Sequence, residues 1–183
     1  MDEPRPLIIS DFDHTLFQTE QFKQDFLRSL GLKELKVGEF LAPEQLAAFD
    51  RTSLSVDGYL FPDAAEFLRR TTENELKLIT TGDPAWQSFK LGFVPLLADR
   101  HQTILPGNKG EYIREHILPG LTGELHFVDD LEENLLPLVD SVGVNLWQIL
   151  RPGSEHPKHI ASTHPRIRVI DTLDKIQVEN TKI

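Results

Sequence analysis

Asp11 and Asp13 stand two positions apart at the end of the apolar run Leu7-Ile8-Ile9, and Thr15 completes the pattern Asp-x-Asp-x-Thr. In extended backbone, residues i and i+2 point to the same side, so both carboxylates can face one ligand. Like charges held that close repel unless a cation or a shared proton intervenes. The pair therefore suggests a metal site, or a nucleophile beside an acid/base group; taken alone, the motif equally fits a strand followed by a polar turn. Three more stretches carry chemistry. Thr80-Thr81-Gly82 offers hydroxyls and free N–H groups at a predicted helix start, which suits an anion; the same residues would also make a plain capping turn. Lys109 opens another predicted helix, where the dipole opposes a cation, so an anionic partner would suit it; a lone solvated surface lysine would read the same way. Asp129-Asp130 is a second acidic pair behind an apolar run.

These groups need elements to position them. The β-branched Ile8 and Ile9 predict a buried first strand. Phe22, Phe26 and Leu30, with Leu27 beside them, recur at helical spacing, and Gly31 marks the stop. A second short helix is predicted over 42–49 with Pro43 in its first turn, then a polar loop over 50–58. Residues 18–57 thus form a small helical insertion, a candidate lid, with Phe22, Phe26 and Leu30 as its internal packing. Further along, the pattern predicts a helix over 63–70, a strand over 76–80 and a helix from Pro84 to about 91. A short strand over 101–105 precedes a helix from Lys109 to about 117. Then come a strand over 124–130, a helix over 132–138 interrupted by Pro137, and a strand over 142–150. A loop over 151–165, a strand over 166–170 and a helix over 172–178 complete the chain. Strands alternating with helices predict an α/β fold with a parallel sheet.

The chain has 183 residues, which suits one domain with a small insertion. Its formal net charge of -10 argues against a general nucleic-acid surface, which would be basic. The absence of cysteine excludes disulfides and Cys-ligated zinc. His156, His159 and His164 gather in one predicted loop, but their spacing matches no strong zinc pattern. No apolar run reaches membrane-spanning length. The charged start Met1-Asp2-Glu3-Pro4-Arg5 lacks the apolar core of a signal peptide, so a cytoplasmic location is expected.

Taken in order, Asp11-x-Asp13-x-Thr15, Thr80-Thr81-Gly82, Lys109 and Asp129-Asp130 resemble the four motifs of the haloacid dehalogenase-like (HAD) hydrolase superfamily. The resemblance implies a Rossmann-like parallel sheet flanked by helices. Its core would comprise 1–17 and 58–183, with 18–57 as a small C1-type cap. It implies Asp11 as nucleophile and Asp13 as general acid and base. Thr80, Thr81 and Lys109 would bind the substrate phosphate, with Lys90 as a second candidate for the third motif. Mg2+ would be held by Asp11, the Asp13 main-chain carbonyl, Asp130 and Asp129. The dehalogenases of the superfamily lack an acid at the position of Asp13, so its presence favours phosphate esters over carbon–halogen bonds. The implied activity is a magnesium-dependent phosphomonoester hydrolase working through an aspartyl-phosphate on a small-molecule substrate. The alternatives are a phosphomutase, or a non-catalytic phosphate-binding or regulatory protein. The His14 N–H is expected to assist the phosphate site, and Glu133 and Asn134 to cap their helix rather than support the metal shell.

Overall fold

The apolar runs form strands and the amphipathic stretches between them form helices. The computed structural model describes residues 6–33, 41–56, 58–152 and 157–176. Strands β1 (Leu7–Ser10), β2 (Leu76–Thr81), β3 (Gln102–Leu105), β4 (Leu125–Asp129), β5 (Val144–Ile149) and β6 (Ile167–Ile170) pair in one parallel sheet. Their order is β3-β2-β1-β4-β5-β6. The chain moves outward from β1 to β3, then returns to start again at β4 on the other side of β1. Strand ends at such a reversal border a crevice where open α/β sheets bind ligands. This is the α/β Rossmann-like architecture the sequence predicts.

Helices α1 (Thr19–Ser29) and α2 (Pro43–Ala47) lie between β1 and α3 (Pro62–Arg70), within the predicted insertion. Helix α4 (Pro84–Leu91) follows β2, α5 (Lys109–Tyr112) follows β3, and α6 (Glu132–Leu135) follows β4. Helices α3 and α4 both begin at proline, whose missing N–H costs nothing in a first turn. Alternation along β1 sends Ile8 and Ile9 into two separate clusters, one on each face of the sheet. One cluster gathers Phe12, Phe22, Phe26, Phe67, Leu78, Phe89 and Phe93; the other gathers Ile79, Ile113, Phe127, Leu135 and Leu138. Burying each large side chain contributes roughly 1.5–3 kcal/mol.

Four local expectations change. Leu30 is the C-cap of α1 and is 38% exposed; Leu27 is buried instead. Phe22 and Phe26 pack beyond the insertion, against Trp86 and Phe89 of α4 at centroid distances of 5.1–6.1 Å. The helix begun at Lys109 widens into a π turn over Ile113–Ile117. The last helix is a single 3-10 turn, Leu173–Lys175, among the described residues; 177–178 lie outside them. No described helix is long and apolar enough to cross a membrane.

Candidate active site

Register brings the two acidic motifs together. Ser10 of β1 pairs with Val128 of β4, and the Asp11 N–H donates to the Val128 carbonyl at 2.9 Å. Asp11 and Asp129 therefore leave adjacent strand ends side by side. Asp11, Asp129 and Asp130 are all buried, and each offers an oxygen within 4.8 Å of the others. Thr15 sits below this cluster, its hydroxyl donating to Asp11 Oδ2 at 3.4 Å.

Lys109 reaches the same cluster from the first residue of α5. Its Nζ lies 2.5 Å from Asp11 Oδ1 and 2.8 Å from Asp129 Oδ2. Helix α5 can come this close because Gly110 follows. A Cβ on Gly110 would lie 2.1 Å from the Asn134 carbonyl oxygen. Asn134 does not cap its helix: its Nδ2 donates to Asp129 Oδ1 at 3.0 Å, beside the Leu131 N–H at 2.9 Å. The expectation of plain capping thus gives way to support of a candidate ligand. Glu133 instead pairs with Lys158.

One lysine does not neutralise three carboxylates. Burial, then the neighbouring carboxylates, push Asp11 well above the usual carboxylate range against the pull of Lys109. The same causes push Asp130 up to about 7. For Lys109 burial works downward, but Asp11 and Asp129 more than offset it and raise the ammonium. A buried set of oxygen donors with excess negative charge fits a hard cation such as Mg2+. His159 adds a further contact, its Nε2 lying 2.5 Å from Asp130 Oδ2. Burial holds the His159 ring below its ordinary pKa, and the ring meets that of His14 edge-on at 5.1 Å.

Asp13 is held apart from this group. Lys90 of α4 forms an ion pair with its Oδ1, Thr19 donates to the same oxygen at 2.6 Å, and Gln87 Nε2 donates to Oδ2 at 2.8 Å. Burial would raise Asp13, but the Lys90 charge and these hydrogen bonds outweigh it and lower the carboxyl. Thr80 places its hydroxyl in the buried interior without a protein partner, a polar group that needs a ligand or water. Thr81 is half-buried, and its carbonyl accepts from Gln87 at 2.5 Å. Gly82 has φ +131, and a Cβ there would lie 2.9 Å from the Gln87 amide nitrogen. Glycine thus permits both the turn and the reach of Gln87.

Lys90, the second candidate for the third motif, meets Asp13 and not the carboxylate cluster, and several other residues of this region escape a reading of motifs. Gln87 and Lys90 are i and i+3 on α4, polar groups buried on a helix that otherwise buries Phe89 and Leu91. Gln148 is fully buried in β5, donating to the Asp130 and Ile160 carbonyls at 3.1 and 3.0 Å, so it ties the His159 segment to the acidic pair. Arg151 donates twice to the Thr15 carbonyl, at 3.1 and 2.6 Å, and pairs with Asp63 at 2.6 Å. A buried polar residue inside or just after an apolar strand is the signal that could have found the last two. The His14 N–H donates to the Phe17 carbonyl at 2.9 Å and to Thr19 Oγ1 at 3.3 Å, so the expected phosphate role for it is replaced by one in the turn. His14 itself takes φ 58, rare for a residue with a side chain. His164 Nδ1 accepts the Arg166 N–H, and His156 lies outside the described residues.

No family model matches the chain, and no curated protein matches it by sequence. Solved structures do match in fold. A haloacid dehalogenase-like hydrolase from Burkholderia xenovorans superposes with a TM-score of 0.61 at 15% identity, covering 92% of this chain and 94% of that one. A haloacid dehalogenase-like family hydrolase from Xanthomonas campestris gives 0.56 at 18% identity, covering 93% and 92%. A HAD-hydrolase from Bacillus subtilis, solved bound to magnesium, gives 0.53 at 14% identity, covering 94% and 97%. A dehalogenase shares the architecture too. The chain has the fold of the HAD-like hydrolases.

Proposed function

We propose that this chain, with the fold of the HAD-like hydrolases, is a magnesium-dependent phosphomonoester hydrolase. One observation carries the reading: two carboxylates two residues apart have different surroundings. Asp11 lies in the buried carboxylate cluster, while Asp13 is held outside it by Lys90, Thr19 and Gln87. The division puts Asp11 at the candidate cation site and Asp13 beside it; with Asp11 raised and Asp13 lowered in the metal-free protein, the reading needs a bound cation to ionise Asp11 and a proton taken up by Asp13 when substrate binds.

In this reading Asp11 attacks phosphorus, and the bond to the leaving oxygen breaks with its electron pair. Asp13 gives that oxygen a proton. A water then attacks the aspartyl-phosphate, Asp13 takes its proton, and the phosphorus–Asp11 bond breaks to release phosphate. Lys109 and the unpartnered Thr80 hydroxyl, with Thr81 beside it, bind the phosphoryl oxygens. Asp11, Asp129, Asp130 and the Asp13 main-chain carbonyl would hold Mg2+, whose charge would stabilise the phosphoryl group when bound. Helices α1 and α2 would belong to a short cap.

Phosphate release from a panel of phosphomonoesters, with magnesium and with EDTA, tests the reading alongside Asp11→Asn. Magnesium-dependent release that vanishes in the nearly isosteric variant is expected. Full activity in Asp11→Asn would sink the aspartyl-phosphate mechanism. Halide release from a haloacid, without phosphate release from any ester, would move the assignment to a dehalogenase.

A further inference from the structure

The two buried lysines of the site serve different carboxylates. Lys109 lies 2.5 Å from Asp11 and 2.8 Å from Asp129. Lys90, 2% exposed, forms its ion pair with Asp13. Removing an ammonium from water costs several kcal/mol, and the placement persists only where partners compensate. Lys90 has the Asp13 carboxylate, and its Nζ lies 5.7 Å from the Phe12 ring centroid and 6.0 Å from that of Trp86. Gln87, one turn earlier on α4, holds the other Asp13 oxygen at 2.8 Å and the Thr81 carbonyl at 2.5 Å. Both oxygens of Asp13 are thus anchored, and one anchor continues into the end of β2.

We propose that Lys90 and Gln87 are positioning residues that hold the Asp13 carboxyl in one orientation for proton transfer, while Lys109 serves the phosphoryl group. The proposal rests on the phosphatase reading and deepens it. It separates the lysines by the bond each one serves. A lysine that binds phosphoryl oxygens affects every ester alike. A lysine that orients the acid matters most where the leaving oxygen needs a proton. An alkoxide departs poorly without one, whereas a nitrophenolate departs readily as the anion.

The test measures kcat and KM of wild type, Lys90→Met, Lys90→Arg, Gln87→Met and Lys109→Met on 4-nitrophenyl phosphate and on a simple alkyl phosphate. Lys90→Met is expected to lose about 100-fold in kcat on the alkyl ester and about tenfold or less on the aryl ester, chiefly in kcat. Lys90→Arg should recover part of the alkyl loss, and Gln87→Met should show the same pattern more weakly. Lys109→Met should lose similar factors on both esters. Equal loss on both esters in Lys90→Met, or a loss confined to KM, overturns the proposal. Should Lys90→Met fail to fold, Gln87→Met, which removes a neutral donor, decides: an alkyl-selective loss supports the proposal and an equal loss overturns it. Absence of turnover by the wild type on every ester overturns the phosphatase reading and this assignment with it.

Discussion

The buried carboxylates make a pH-dependent prediction for the metal-free protein. Asp130, pushed from 3.8 up to about 7 by burial and Asp129, binds its proton far more tightly folded than unfolded. That difference corresponds to ~4 kcal/mol. Its sign is set by the raised value: the contribution is fully present below the unfolded pKa and is lost as pH rises to about 7. Asp11, also raised, acts in the same direction. Asp13 and Asp63 are lowered, so their contributions are lost only as pH falls below the ordinary carboxylate range. His159 and His126 are lowered too, and as bases they offset part of the fall near neutrality. Lys109, raised, changes only in strongly alkaline solution. Between pH 5 and 7.5 the metal-free protein should therefore lose a few kcal/mol, or roughly 5–10 °C in Tm for a chain of this size. Magnesium at about 100 times its Kd should restore ~2.7 kcal/mol. The restoration should grow with pH, because the ligands must be deprotonated to bind. Thermal melts in EDTA and in magnesium across this range give the answer. A metal-free Tm that is flat or rises with pH, together with a pH-independent magnesium shift, would refute the argument.

Two further substitutions probe the supports of the site. Arg151→Met removes both donors from the Thr15 carbonyl and leaves Asp63 without its cation; a loss of ~3–5 kcal/mol in urea unfolding is expected, with lower kcat, and a cost under about 1 kcal/mol, the range of surface pairs, would count against a structural role. Gly110→Ala would set a Cβ 2.1 Å from the Asn134 carbonyl oxygen and 3.1 Å from Pro137; α5 must move away from α6, costing ~1–3 kcal/mol and weakening magnesium binding by calorimetry, whereas an unchanged affinity would show that the approach of the helices is not needed to seat Lys109.

The motifs and the parallel sheet were legible because they are local. Apolar runs of strand length, each ending in Asp, Thr or a turn, announce both the strands and the groups at their ends. The helix starts at Pro84 and Lys109 were legible too, the first through its proline. Helices α1 and α2 were legible from their spacing and Pro43, but where Phe22 and Phe26 would pack was not.

The sequence by itself therefore determined the α/β class, the carboxylates at the strand ends and the residues that open α2, α4, α5 and α6, since these depend on neighbours a few positions away. Only the tertiary structure decided which of the two lysines meets which aspartate. Lys90 lies in the last turn of α4 and Lys109 at the start of α5, and 77 positions separate Lys90 from Asp13. It also decided that Asn134 supports Asp129, that His159 turns to Asp130, and that Arg151 reaches back to Thr15. Such pairings follow from strand register and helix packing. They come into being only when the sheet sets distant strand ends side by side and burial obliges each charge to find its partner.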